Sequence, residues 1–218
     1  RYLPGNPLNL EARRHTGAAI RGESTPPYEI EVRHRNGDLR RLRVSESPLR
    51  DEHGKVVAIQ GLAQDVTAFR RARLALDGRN QVLELLAQGF PLKKVLTAIV
   101  RYIEAMDRDL LCSIHLLDEQ TGRLHGGAAP SLPAFYNEAV EGVPIGPGVG
   151  SCGTAAHTGK RVIVADILNH PYWADYRDLM ARTPLRACWS EPVRARGGTV
   201  LGTFAMYFTE TREPSAQE

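Results

Sequence analysis

From Tyr28 onward apolar and charged residues alternate, with Tyr28, Ile30 and Val32 set against Glu29, Glu31 and Arg33. A period of two marks a strand with one face on a core. Asn36-Gly37 then supplies the strongest short hairpin signal, and residues 39–46 resume the alternation. A second turn, Asp51 to Gly54, leads into a third strand, Val56 to Ala63. The expected unit is a three-stranded antiparallel meander with one buried face. Ahead of it, Asn6 to Arg21 reads as a short helix carrying Leu10, Ala18 and Ile20, stopped by Gly22 before Pro26-Pro27.

After Thr67, a residue able to cap a helix, the period changes. Phe69, Leu76, Leu83 and Phe90 recur every seven residues, with Ala72 and Leu86 at the fourth place, Arg79 breaking the series and Gly78 weakening the helix. Such a seam fits a parallel coiled coil between two chains, or an amphipathic helix packed on its own domain; the pattern leaves both open. A second helix, Pro91 to Asp107, aligns Leu92, Val95, Leu96, Ile99, Ile103 and Met106 to cover a sheet. The run LLCSIHLLD at 110–118 is nearly all apolar and should be central in that sheet. The remainder predicts a strand at 123–129, helices at 131–141, 154–158 and 175–182, and strands at 162–165, 187–194 and 199–208. The fold class expected is α+β around one sheet.

Composition changes this picture little. With 218 residues, 42% hydrophobic and 24% charged, the chain suits one large or two small globular domains. No apolar run reaches the roughly 18 residues of a membrane span, and the start lacks an initiator Met and a signal peptide, so a cytoplasmic piece of a longer protein is expected. Residues 1–80 hold 15 Lys/Arg against 10 Asp/Glu, and 81–218 hold 13 against 15. The basic excess (Arg33, Arg35, Arg41, Arg43) alternates along strands without interleaved aromatics, so it reads as a solvated face and not a nucleic-acid site. Three widely spaced cysteines, Cys112, Cys152 and Cys188, argue against a disulfide framework or a zinc site.

Two resemblances emerge from these stretches. YEIEVRHRNGDLRRLRVSESPLRDEHGKVVAIQGLAQDVT resembles the carboxy-terminal half of a PAS domain, although Leu42 stands where many relatives have an aromatic. Without the upstream part that lines the usual cofactor cavity, haem or flavin is not expected there, and His15 and His34 read as surface histidines. Further on, GPGVGSCGTAA and RACWSEPV make residues 80–214 similar to the GAF domains that stand between PAS modules and histidine-kinase, diguanylate-cyclase or phosphodiesterase outputs. The resemblance implies a partial PAS sheet at 1–67, a helical linker at 68–90 and a GAF domain at 91–214 without its last helix. It also implies a sensory part of a two-component or cyclic-di-GMP system, and the heptad seam, where it pairs between chains, adds a homodimer through the linker helices. No output motif occurs in these residues, so no activity is assigned.

The candidate site is the stretch 142–190. Glycines and prolines from Gly142 to Gly150 turn the backbone tightly before Ser151-Cys152-Gly153-Thr154. Backbone N–H groups at a helix start favour an anion or a thiolate. Cys152 reads equally as a small buried side chain, Cys112 as core, and Cys188 lies between the two. Trp173, Tyr176 and Trp189 suggest an aromatic wall for a planar or modest apolar ligand, with Cys188 beside it. The ligand-binding set expected is thus Ser151, Cys152, Gly153, Thr154, Trp173, Tyr176, Cys188 and Trp189, and no metal is expected. An enzymatic alternative comes from free methionine-R-sulfoxide reductases, which are similar in outline around Cys152 and Cys188; their third cysteine has no counterpart near Glu141-Gly142-Val143. Some GAF sensors hold haem through one histidine. His157 and His170 read instead as ordinary loop and helix residues, and the cofactor is left unassigned.

Overall fold

The computed structural model describes residues 2–214 apart from Pro4, Asn36, Gly37 and Arg108. By its internal contacts the chain divides into two compact units, Arg1–Leu76 and Asp77–Glu218.

In the first unit, helix α1 (Pro7–Ile20) starts at Asn6, whose side chain accepts the Leu8 N–H at 2.9 Å. Strands β1 (Tyr28–Arg33), β2 (Leu39–Arg50) and β3 (Val56–Asp65) form an antiparallel sheet in that order. The Asn36-Gly37 turn lies outside the described residues; beside it Arg33 pairs with Leu39. Buried Asn9 ties α1 to β1: its amide donates to the Leu3 and Glu31 carbonyls and its Oδ1 accepts the Glu31 N–H, each at 2.7 Å.

Three expectations need correction here. The buried face covers only β1 and β2, where Tyr28, Val44, Ile30 and Leu42 meet Ala12, while Val57 and Leu62 of β3 are exposed. Helix α1 lies chiefly on β1 and β2, and one helix of 14 residues cannot roof three strands. His15 is not a surface histidine, because its ring stacks on Tyr28 with centroids 4.5 Å apart. Thr67 does not cap the next helix: its hydroxyl accepts the Arg41 N–H at 2.8 Å, and Asp65 Oδ1 accepts the Thr67 N–H at 2.9 Å.

Helix α2 (Thr67–Ala87) contains the boundary between the units, and α3 (Leu92–Met106) follows a short turn through Gly89. In the second unit, β4 (Leu110–Asp118), β5 (Arg123–Ala128), β6 (Val143–Pro144), β7 (Val162–Val164), β8 (Ala187–Arg194) and β9 (Val200–Phe208) form one antiparallel sheet. Its order is β6-β5-β4-β9-β8-β7, so β4 is interior as its apolar run predicts. Helices α4 (Ala134–Ala139), α5 (Gly150–Thr158) and α6 (Arg177–Ala181), with a 3₁₀ turn at Pro171–Tyr176, complete the unit.

Strand alternation divides the sheet between two layers. On one face Cys112, Ile114 and Ala128 meet Val100, Leu96 and Ile103 of α3. On the other, Cys188, Ala205 and Tyr207 meet Tyr136, Ile167, Trp173 and Met180. The α+β class read from the sequence is the observed one.

A polar interior between helix α5 and the sheet

Apolar strands carry few polar side chains, yet the α5 face of the sheet presents several in one place. Ser113 and His115 alternate along β4, Cys188 and Ser190 along β8, and Thr203 and Tyr207 lie on the same face of β9. The register sets His115 opposite Thr203 and Ser190 opposite Ala205. All six are buried. Gly202, the neighbour of Thr203, lies so close to the His115 carbonyl oxygen that a Cβ there would collide with it.

Hydrogen bonds join part of this set. The Tyr136 hydroxyl donates to Tyr207 Oη at 3.2 Å, and Tyr207 Oη and Ser113 Oγ are 3.3 Å apart. Ser113 Oγ lies 3.4 Å from His115 Nδ1. Cys152, half-buried in the first turn of α5, brings its sulfur to 3.9 Å from Tyr207 Oη. Ser190 Oγ and Thr203 Oγ1 are buried without a hydrogen-bond partner. Orphaned buried hydroxyls are uncommon, since each forgoes water.

The electrostatics of the two sulfurs differ. The neighbouring Cys188 thiol, and then the His115 ring and Ser190, hold the Cys152 thiol well below its usual range against the opposing effect of burial. Burial and then the Cys152 charge push Cys188 well up. Burial alone lowers His115, but the interaction with Cys152 outweighs it and the net shift is upward. The shifts favour the ionised form of Cys152 and the protonated ring of His115, and hold the proton on Cys188. Burial also pushes Tyr136 and Tyr207 well up, reinforced by the thiolate charge.

Of the residues predicted from sequence, Cys152 and Cys188 come together and the rest take other roles. Helix α5 starts at Gly150, four residues before the expected position. The N–H groups of Gly153 and Thr154 therefore enter the helical ladder. Ser151 Oγ accepts the Trp173 indole N–H at 3.1 Å and donates to the Cys188 carbonyl at 3.3 Å. Thr154 Oγ1 donates to the Gly150 carbonyl at 2.7 Å, and Gly153 packs tightly on Pro144 and Val149. Ser151 and Gly153 thus join α5 to its neighbours, whereas the Thr154 bond lies within the helix. Trp173 and Tyr176 meet edge to face at 6.0 Å, but Trp189 is not part of their wall. Following Cys188 by one residue, it faces the other layer, packs at a tilt on Phe208 with centroids 4.5 Å apart and donates to the Arg212 carbonyl at 3.2 Å.

His157 is exposed, and His170 Nδ1 accepts the Tyr172 N–H at 3.2 Å at the start of the 3₁₀ turn. Among the described residues no group of three or more His, Cys, Asp and Glu could hold a metal ion. Sequence reasoning missed Ser113, His115, Tyr136, Ser190, Thr203 and Tyr207. The available signal was the spacing of Ser113 and His115, two apart in an otherwise apolar strand, which puts both on one face.

The model of the GAF domain matches residues 91–218, more than half of the chain. The chain belongs to the GAF domain family. A PAS fold model matches residues 3–71, ahead of the GAF match. The methyl sulfide methyltransferase-associated sensor of Methanosarcina acetivorans is 39% identical over 190 residues, covering 87% of this chain and 19% of that protein. The chain thus spans about a fifth of that relative's length. The GAF domain of a Coxiella burnetii phosphoenolpyruvate-protein phosphotransferase matches with a TM-score of 0.54 at 17% identity, over 69% of this chain and 84% of that one. A protein of Burkholderia vietnamiensis described as a GAF sensor matches with a TM-score of 0.50 at 20% identity, over 66% and 84%. Both have the GAF fold. Among the described residues no helix is long and apolar enough to cross a membrane.

Proposed function

We propose that this PAS–GAF stretch is the sensory and regulatory region of a signalling protein. A small molecule or a change of state in the polar interior of the GAF domain alters α2, and α2 passes the change as a parallel homodimer to an effector domain. Histidine-kinase or cyclic-di-GMP outputs are the proposed effectors. A reducing cytoplasm is the proposed setting, supported by the odd number and wide spacing of the three cysteines.

The observation that carries this reading is the division of α2 into two faces. Gly78 and Leu85 lie on the face turned to α3, where the Tyr102 ring fills the space a Cβ at Gly78 would need. At about 100° per residue the heptad seam falls close to the opposite side of the helix. Phe69, Leu76, Leu83 and Leu86 there are all more than half exposed. An amphipathic helix docked on its own domain would bury that seam, so the pattern favours a second copy.

The reductase alternative has less support. The family match is to a sensory domain, the curated relative is named a sensor, and the third cysteine of that chemistry has no counterpart. Sedimentation of the wild type against a Leu76→Lys/Leu83→Lys double variant tests the dimer. A wild-type dimer that the variant converts to a folded monomer is expected; a wild-type monomer at high micromolar concentration would refute it.

A further inference from the structure

We propose that Cys152 and Cys188 are a hydroperoxide-responsive thiol pair in the GAF interior, with Cys152 as the attacking sulfur, Cys188 as the resolving thiol and His115 as the proton donor beside them. Four observations converge on this. The two cysteines occupy facing elements, α5 and β8, which Ser151 joins by its bond to the Cys188 carbonyl. Cys152 packs against the cluster that holds Cys188, its sulfur lies 3.9 Å from the hydroxyl of Tyr207, the residue opposite Cys188 in the sheet, and His115 on the same face of β4 adds to the lowering of its thiol. Cys152 is half-buried and so within reach of a small oxidant, whereas Cys188 is enclosed. Thr203 Oγ1 is a buried hydroxyl with no partner, and Ser190 Oγ faces the Cys152 sulfur; both lie on the strands beside the sulfurs and can donate to a peroxide oxygen.

The chemistry balances without any group beyond the peroxide. The Cys152 thiolate attacks one oxygen of hydrogen peroxide; an S–O bond forms and the O–O bond breaks. The departing hydroxide takes the His115 proton and leaves as water. Cys188 then loses its proton and attacks the Cys152 sulfenic sulfur; the S–S bond forms and the S–O bond breaks. The released hydroxide takes up a proton as the second water. Two thiols are oxidised to one disulfide and one peroxide is reduced to two waters. A bond between α5 and β8 would fix the loop-helix layer on the sheet. This chemistry stands whether or not α2 relays a signal.

Cys112 is the internal control, buried on the opposite face with its thiol pushed up to about 12 by burial and then by Glu104 and Asp107. The test treats reduced wild-type protein with hydrogen peroxide, quenches by alkylation at intervals and maps each cysteine by mass spectrometry. Cys152 and Cys188 should disappear together into one linked peptide pair, at least about tenfold faster than Cys112. In Cys188→Ser, dimedone should trap a lasting sulfenic acid at Cys152. Loss of Cys152 no faster than Cys112, or a disulfide that includes Cys112, would overturn the proposal. The wild-type kinetics decide the matter even where a variant fails to fold.

The part of His115 has its own readout. The groups facing the Cys152 sulfur are His115 from β4, Cys188 and Ser190 from β8 and Tyr207 from β9, with the Tyr136 hydroxyl from α4 behind Tyr207. His115→Gln should move the pH of half-maximal alkylation of Cys152 upward; an unchanged midpoint in folded variant protein would remove His115 from the scheme.

Discussion

Gly202 has no side chain, and the carbonyl oxygen of His115 occupies the space one would fill. A backbone atom in a paired strand cannot swing aside, so Gly202→Ala must displace β4 or β9. The expected loss is about 1–3 kcal/mol in urea denaturation, as for other overpacked sites, together with a change in the rate of Cys152 alkylation. Tyr207 links Tyr136, Ser113 and Cys152 through one hydroxyl. Tyr207→Phe leaves the buried Tyr136 hydroxyl unmatched and Ser113 with His115 alone, and should cost about 1–3 kcal/mol by the same measurement. At this scale the sequence disclosed the two cysteines, because cysteine near a helix start carries known chemistry. It hid His115, which sits in an apolar run and takes its meaning only from Cys152 on α5 and from the strands β8 and β9 far along the chain. It misdirected Trp189, because neighbours in sequence face opposite ways on a strand.

The same limit appears in the elements. Gly78 looked like a flaw in a helix, since glycine in a helix interior is worse than alanine by about 1 kcal/mol. Against the ring of Tyr102 that preference reverses. Gly78→Ala should therefore lower the melting temperature, whereas a rise would show that α2 and α3 adjust freely. The start of α2 was legible to within a residue, but its cap was not. Asp65, with its carboxyl held below the usual range by the Thr67 hydroxyl and backbone and then by Arg40, does the capping assigned to Thr67. The strands were legible nearly to their ends because a period of two and glycine turns are local signals. The start of α5 was not, because glycines that suggest a loop here form the first turn of the helix.

Across the whole molecule, four buried acids share one direction. Burial raises Cys112, Cys188, Tyr136 and Tyr207 above their unfolded values. Each stays neutral in the fold after the unfolded chain has begun to ionise, so its contribution is intact below the unfolded value and lost as pH rises through the folded one. For Cys112 that window runs from 9.0 to about 12. Its share of the slope is about 1.4 kcal/mol per pH unit. Cys152 runs the other way: its lowered value contributes stability that is present at alkaline pH and lost as pH falls through that value. Because four groups oppose one, melting temperatures should fall steadily above about pH 9; a flat profile would show that these groups are open to water. Architecture was the most legible feature, since two domains with different periods leave distinct marks on a chain. What the seam of α2 contacts is not written in either domain, and the central claim rests on it. A single cysteine in place of Leu83 tests it most directly, compared with one in place of Glu84 outside the seam. Under mild oxidation Leu83→Cys should give a covalent dimer through residue 83 of each copy, and Glu84→Cys should not. Failure of Leu83→Cys to cross-link, or equal cross-linking at both positions, would contradict a parallel dimer through α2.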